Sequence, residues 1–533
     1  MIDTKALREK VLDLAIRGKL VPQDPTDEPA SVLLGRIREQ KKQMVKEGKL
    51  KAKDIKDDSI IFVGDDNLHY EKFADGSVKC IEDEIPFNIP NGWAWIRLQT
   101  VCQKEIKRGK APKYAEKSGT LVFAQKCNTK NGMINISLAQ YLDETNLHKY
   151  PIELFTQYGD IIINSTGTGT LGRVGIFEQK DDIEHLPIIP DSHITTVRVF
   201  PNIVKKYMYL FLKAYQPLFE SSGEGSTNQK ELRPDVIKSF IVAIPPFNEQ
   251  KCIVEKFEAA DEIIGQLDAY TDNIKDTISS VKSKILDLAI RGKLVSQNPD
   301  DEPASVLLER ISAQKEELIK QGKIKCNKKE SVIFKGEDNS YYEKIGNGEI
   351  KCIDENIPFE IPESWCWCRL GTLFTHNTGK ALNSADNVGT SMTYITTSNL
   401  YWDRFELNAL KEMLFTESEI EKCTVTKGDL LVCEGGDIGR SAIWMFDEDI
   451  RIQNHIHRLR PYVSLSNRFY YYVMFMWKQM GYIGGQGIGL QGFSSKALHN
   501  LLVPLPPAEE QIKIAAFIDN LFKTIANIEK SLS

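Results

Sequence analysis

The side chains best placed to do chemistry are cations and hydroxyls set among glycines. Lys104, Lys107, Arg108, Lys110 and Lys113 crowd the stretch KEIKRGKAPK. Arg173 and Arg440 follow two glycine-rich turns, in GDIIINSTGTGTLGRVGIF from Gly159 and GDLLVCEGGDIGRSAIW from Gly428, and Ser165, Thr166, Thr168 and Thr170 line the first. Cations in such loops suit phosphate contact, and exposed hydroxyls suit hydrogen bonding to base edges. The same residue types recur in SHITTVR (His193, Thr195), EGSTNQK (Thr227, Asn228, Lys230), NHIHRLR (Asn454, His455, His457) and GGQGIGLQG (Gln486, Gln491), and Lys380 joins these candidates. Each run is also what a solvated loop looks like. Recurrence at equivalent places in two halves of the chain brings the functional reading level with the solvated one.

Catalytic patterns fail on inspection. Gly167, Gly169 and Gly172 form G-x-G-x-x-G, but RVGIFEQ after them reads as a strand, and the matching turn has Glu434 where Gly167 stands. A dinucleotide site needs a helix there, so the glycines are turn formers that permit positive φ. IPPF at Ile244–Phe247 lacks the polar first residue with which amino-methyltransferases hold a flipped base, and its counterpart LPPA lacks the aromatic too. No HExxH, Walker loop or nucleophile elbow is present, and the eight histidines show no metal-ligand spacing.

The elements that must position the polar loops are written twice. LDLAIRGKLV occurs from Leu12 and again from Leu286, and DEPASVLLGRI from Asp27 returns as DEPASVLLERI from Asp301. KCIEDEIPFNIPNGW, ending at Trp93, returns as KCIDENIPFEIPESW, ending at Trp365, and AIPPFNEQ (Ala243–Gln250) answers to PLPPAEEQ (Pro504–Gln511). Between the last two pairs the copies diverge, leaving variable, mixed α/β inserts at roughly Cys102–Val242 and Phe374–Val503 inside a fixed frame. Two similar bodies carrying different surfaces suit reading two different things.

The frame predicts its own structure. Apolar residues at Phe257, Ala260, Ile264, Leu267, Ile274, Ile278, Val281, Ile285 and Leu288 step alternately by three and four, a heptad seam from about Gln250 to Arg291. Ile514, Ile518, Leu521, Ile525, Ile528 and Leu532 repeat it, and Leu7, Val11 and Leu14 align with Val281, Ile285 and Leu288, supplying the half that the C-terminal helix lacks. Ordinary amphipathic helices packed on their own domains are the alternative, but helices this long rarely bury a seam alone. Pro29–Gly48 and Pro303–Gly322 read as charged amphipathic helices, followed by hairpins around DG and NG turns. These parts either dock identical partner subunits or simply pack against the frame. The expected fold class is α+β, with two pseudo-repeated globular α/β domains separated by two antiparallel coiled-coil arms, one continuous and one split, in a cyclic pseudo-two-fold layout.

The bulk properties agree with a multidomain globular protein. The 533 residues exceed one core, and 41% apolar with 27% charged residues is ordinary for a folded soluble chain. No apolar run is long enough to span a bilayer and the start MIDTKALREK is too charged for a signal peptide, so a cytoplasmic protein without membrane contact is expected. Ten cysteines without a CxxC pair read as reduced, mostly packed thiols. The net charge of −6 argues mildly against nucleic acid, though a local basic patch on an acidic body is compatible with it.

On LDLAIRGKLV in both copies, the DEPASVLL helices, and the PPFNEQ and PPAEEQ exits into heptad helix, the chain resembles the specificity subunit of type I restriction–modification systems, over essentially its whole length. The frame phrases are specific to that resemblance and the inserts are not. It implies a noncatalytic reader of double-stranded DNA, with target-recognition domains at 101–248 and 374–507, repeated frames at 22–100 and 296–373, and helical arms at 1–21, 249–295 and 508–533. Each recognition domain would contact half of a bipartite site, with the arms as a ruler. The resemblance also implies two methyltransferase subunits on the repeated frame, S-adenosylmethionine bound by them and no cofactor in this chain, and restriction subunits in the same assembly. A self-contained methyltransferase or nuclease, and a bivalent protein-binding scaffold, are the competing readings.

Overall fold

In the computed structural model the described residues are all but 1–2, 57, 131–132, 168, 180–185, 225–229, 325–329, 383–387, 484–492 and 532–533. The chain divides into two compact units, Ile2–Thr271 and Asp272–Ser533, the division falling within the central helix Phe247–Ile290.

Each unit begins with a helix that ends on an obligatory glycine. In the first unit Thr4–Ile16 starts where the Asp3 carboxylate accepts a hydrogen bond from the Ala6 amide, satisfying one of the free N–H groups of the first turn. Gly18 then takes φ +65°, and a Cβ there would lie 2.5 Å from Pro90 and 2.9 Å from the Trp93 ring. Gly292 repeats the arrangement in the second unit, with φ +65° against Pro362 and Trp365. The phrase RGKLV thus fixes a sharp turn packed on the IP and W of the later frame phrase.

The expected frame helices form at Ala30–Lys46 and Ala304–Lys320. The hairpins become three-stranded antiparallel sheets, Ile60–Val63, His69–Lys72 and Val78–Cys80 in the first unit and Ser331–Lys335, Tyr341–Ile345 and Ile350–Cys352 in the second. Gly76 and Gly348, the glycines of the DG and NG turns, both adopt φ +88°.

A two-stranded ladder closes each insert at its base, pairing Ala94–Arg97 with Ile241–Ile244 and Cys366–Arg369 with Leu502–Leu505. At the foot of each ladder a tryptophan indole donates to a buried glutamate, Trp93 to Glu249 and Trp365 to Glu510, both at 2.9 Å. Gln23 and Gln297 donate to the second oxygens at 3.1 and 2.6 Å. Burial raises both carboxyl pKa values above the usual range, and these donors only partly offset it.

The inserts differ in sequence yet share a plan. One four-stranded sheet runs Val174–Ile176, Ile161–Asn164, Ile194–Val197, Lys107–Arg108 in the first and Ser441–Ile443, Leu430–Cys433, Ile456–Pro461, Phe374–Thr378 in the second. The strand after each glycine-rich turn is Val174–Ile176 or Ser441–Ile443, so no dinucleotide-binding helix follows. In the second four-stranded sheet three neighbours correspond, Ile188–Pro190, Leu121–Phe123 and Gln140–Leu142 with Ile450–Ile452, Thr390–Ile395 and Lys411–Phe415, while the fourth strand is added at opposite edges. Ion pairs to a buried aspartate tie strand to turn in both: Arg198, itself buried, to Asp160 at 2.7 and 2.6 Å, and the partly exposed Arg460 to Asp429 at 2.8 and 2.6 Å. Cores are completed by Lys205–Ala214, burying Tyr207, Met208 and Phe211, and by Asn467–Gln479, burying Phe469, Tyr470 and Trp477.

The terminal helices pack most closely on their own inserts, Thr4–Ile16 against Lys205–Ala214 and Ala508–Ser531 against Asn467–Gln479, as the alternative of ordinary amphipathic helices has it. Polar contacts link the arm helices within each unit. In the first, Arg8 donates to Asp261 at 2.7 Å and Asp268 at 2.8 Å, and Thr4 reaches Asp268. Since Thr4 meets Asp268 while Gln23 meets Glu249, the N-terminal helix runs antiparallel to the first half of the central one. In the second, Lys282 pairs with Glu529 on the C-terminal helix Ala508–Ser531 at 3.2 Å, and Gln297 meets Glu510, again antiparallel. Arg8–Asp268 and Lys282–Glu529 occupy equivalent registers. The N-terminal helix therefore stands to the first half of the central helix as the second half of that helix stands to the C-terminal one, as the alignment of Leu7, Val11 and Leu14 predicts. The seam is only partly buried, with Ile274 39% and Val281 44% exposed.

Among the described residues no helix is long and apolar enough to cross a membrane, and no group of three or more His, Cys, Asp or Glu could hold a metal ion. The described cysteines are unpaired; Cys102, Cys127, Cys368, Cys423 and Cys433 are buried, whereas Cys80, Cys252 and Cys352 are exposed rather than packed.

Candidate nucleic-acid interface

In the first insert the glycine-rich turn after Ile161–Asn164 gathers a surface cluster that sequence alone only half reveals. Thr166 Oγ1 lies 2.7 Å from His193 Nδ1 and accepts from Gln125 Nε2 at 2.5 Å, while Thr170 donates to the Thr166 carbonyl at 3.2 Å. His193 is exposed, held by its amide donating to Asp191 at 2.7 Å. Gln125 was missed because it arrives from LVFAQKCN, an apolar strand with no loop signature; the close approach of Gly167, whose Cβ would lie 2.5 Å from Gln125, is visible only in three dimensions.

The basic entry stretch spreads over several roles. Lys107 and Lys113 are exposed, Lys107 on the edge strand that pairs with Thr196. Arg108 is spent internally, donating to the Leu232 carbonyl at 2.9 Å and pairing with Glu231 at 2.7 Å. Lys110 donates to the Lys149 carbonyl at 2.6 Å, with its ammonium 5.9 Å from the Tyr150 ring centre. Lys104 donates to the Glu153 carbonyl at 3.1 Å, and burial lowers its ammonium pKa to about 8. Lys230 is exposed.

Four expected contacts are corrected by burial. Ser165 and Thr195 are fully buried and hydrogen-bond each other at 2.5 Å, Thr195 on the strand Ile194–Val197 and Ser165 just past the end of its partner strand Ile161–Asn164. His457 is fully buried: its Nε2 donates to the Phe493 carbonyl at 2.8 Å, so its Nδ1 accepts from His376 Nε2 at 2.8 Å. Lys380, its side chain 8% exposed, donates to the Leu414 carbonyl at 2.8 Å and pairs with Glu419 at 2.9 Å. These groups hold the insert together rather than face a ligand. Burial is the main reason the pKa values of His376, His457 and His499 all fall, His376 to about 3.

Arg173 and Arg440 are equivalent in structure as in sequence, but as clamps. Arg173 donates to the carbonyls of Asn128 at 2.6 Å and Gly169 at 3.0 Å, and Arg440 to that of Thr397 at 2.5 Å with its guanidinium 5.0 Å from the Tyr401 ring centre. Each ties its turn to the segment that follows the parallel strand of the neighbouring sheet. His193 and His455 correspond as well: their carbonyls accept from the Ser165 and Glu434 amides at 2.8 and 2.9 Å, which corrects the matching of Glu434 to Gly167, and both imidazoles are exposed. Asn454 beside it is half-buried, and Thr396 and Ser398, bonded at 2.7 Å, stand where Gln125 does in the first insert. Thr168, Thr227, Asn228, Gln486 and Gln491 lie outside the described residues.

Each insert therefore offers an exposed histidine beside a glycine-rich turn, flanked by amide or hydroxyl groups, on a shared sheet. A family model described as "Type I restriction modification DNA specificity domain" matches residues 90–274 and again 362–533. Relatives include the EcoAI type I restriction enzyme specificity subunit of Escherichia coli, 27% identical over 98% of this chain and 89% of its own, and the EcoEI one, 25% identical over 99% and 90%. Among solved structures, the HsdS subunit from Thermoanaerobacter tengcongensis aligns with TM-score 0.45 at 16% identity, covering 84% of this chain and 94% of that one. With the specificity domain matched twice across most of its length, the chain belongs to the type I restriction–modification DNA specificity family, whose members are the noncatalytic, sequence-recognising subunits of these systems.

Proposed function

We infer that this chain reads a bipartite site in double-stranded DNA, one half-site per insert. The observation that carries this reading is a shared sheet order bearing unlike polar surfaces: Gln125, Thr166 and His193 beside the first turn, and Thr396, Ser398 and His455 beside the second. Exposed Lys107, Lys113 and Lys230 contact phosphates and position the duplex, and the amide, hydroxyl and imidazole groups meet base edges. Residues 101–248 and 374–507 are the recognition domains, and the helical arms set the spacing between half-sites.

Two methyltransferase subunits dock on the repeated frames, bind S-adenosylmethionine and methylate adenines extruded into their own pockets, and restriction subunits join the same assembly. Partner subunits then share the phosphate contacts, which reconciles the net charge of −6 with DNA binding. A modified-base map of the host genome tests the reading. It should show a split adenine-methylated motif that vanishes when the gene is deleted; a motif that persists, or an uninterrupted one, contradicts it.

A further inference from the structure

The two small frame sheets lie outside the segments matched by the specificity-domain model, yet both present the same unusual surface. Side chains alternate across a strand, so one face of each sheet looks inward and one outward. The inward faces carry buried Glu71, paired with Arg97 and accepting from Ser59, and in the second unit Glu343 with Arg369 and Ser331. The register then places Ile60, Lys72 and Val78 in one outward row and Phe62, Tyr70 and Cys80 in another. Val332, Lys344 and Ile350, with Phe334, Tyr342 and Cys352, do the same in the second.

The solvated face of an antiparallel sheet is ordinarily polar. Here Phe62 is 40% and Val78 53% exposed, and Val332, Phe334 and Ile350 are 62%, 40% and 56% exposed. Phe62 lies on Tyr70 with ring centres 5.9 Å apart, and Phe334 on Tyr342 at 6.0 Å. Comparison of the duplicates shows that this is no accident of composition. All six outward positions keep their character, whereas exposed neighbours off the face have changed: Val63 answers to Lys335, Leu68 to Ser340 and Ser77 to Glu349. Polar replacement is tolerated around the face but not on it. At the centre of each face stands one cation, Lys72 or Lys344, with no ion pair among the described residues.

We propose that each frame sheet is a docking face for one copy of the methyltransferase subunit, received through an apolar strip carrying a carboxylate opposite Lys72 or Lys344. Duplication of the face fixes the occupant as a protein present twice, and the isolated lysine fixes the sign of the charge it brings. The proposal rests on the reading that methyltransferase subunits assemble on this chain.

Native mass spectrometry of the full chain with the host's methyltransferase subunit tests it, using Phe62→Glu, Phe334→Glu and both together, with circular dichroism to confirm folding. The unaltered chain should carry two copies, each single variant one, and the double variant none, with at least a tenfold loss of affinity per altered face. Lys72→Glu should weaken one copy in the same way, and Val78→Glu with Ile350→Glu repeats the double test on different side chains. A double variant that keeps both copies, a single variant that loses both, or variants that lose only self-association or only a restriction subunit would overturn the proposal. An unaltered chain that binds no methyltransferase subunit would instead refute the reading beneath it.

Discussion

Burial sorts the polar residues into exposed groups, proposed above as readers, and buried supports, and each class has its own expected signature. Removing the amide or imidazole of the exposed cluster, as in Gln125→Ala or His193→Ala, should weaken binding to the first half-site by about 1–3 kcal/mol and relax base preference there alone. Competition among base-substituted duplexes would register this. Lys107→Ala should instead lower affinity for all sequences and reduce the salt slope of log K by about one. The histidine chain makes an acid-sensitive support. The folded pKa of His376 is depressed to about 3, so the neutral ring contributes its full stability above the unfolded value near 6.5 and progressively less as pH falls from there towards 3. Urea unfolding at pH 7.5 and pH 5 should show a drop that is about 1–2 kcal/mol smaller in His376→Gln. At this scale the sequence was least legible: SHITTVR and NHIHRLR gave residue types, but His193 and His455 stand exposed just before the strands Ile194–Val197 and Ile456–Pro461, whereas Thr195 and His457 lie within them and are buried, and where each buried strand begins is set by long-range pairing.

At the scale of elements the repeated phrases encode joints. The glycine of RGKLV, the Trp of the frame and the glutamate of the exit helix form one knot in each unit, which explains why three phrases far apart in sequence are copied together. Gly18→Ala or Gly292→Ala forces both a positive φ and a clash with a proline ring, and should cost about 1–3 kcal/mol in denaturant unfolding. Arg198→Ala would strand the 1%-exposed Asp160 as an unpaired buried charge and should cost about 3–5 kcal/mol, against roughly 1 kcal/mol or less for Arg8→Ala, whose partners are nearly half exposed. The frame helices, the hairpins and the heptad helix were readable because each obeys a local period or turn rule. The common plan of the inserts was not, since Ile161–Asn164 and Leu430–Cys433 are short, fully buried strands whose neighbours are set by long-range pairing.

On the scale of the whole molecule, duplication is the organising fact. A frame held constant by repeated joints carries two inserts that keep one sheet order while their surfaces drift apart. The antiparallel helix pair in each unit gives each insert the same footing. Charge offers less guidance at this scale, because DNA contact is local while the balance of −6 is global. The independence of the two inserts is tested most directly by exchanging Phe374–Val503 for the same region of a relative and mapping the methylated motif. One half of the motif should change while the other half stays as it was; a change in both halves, or in neither, would contradict the assignment of one half-site to each insert.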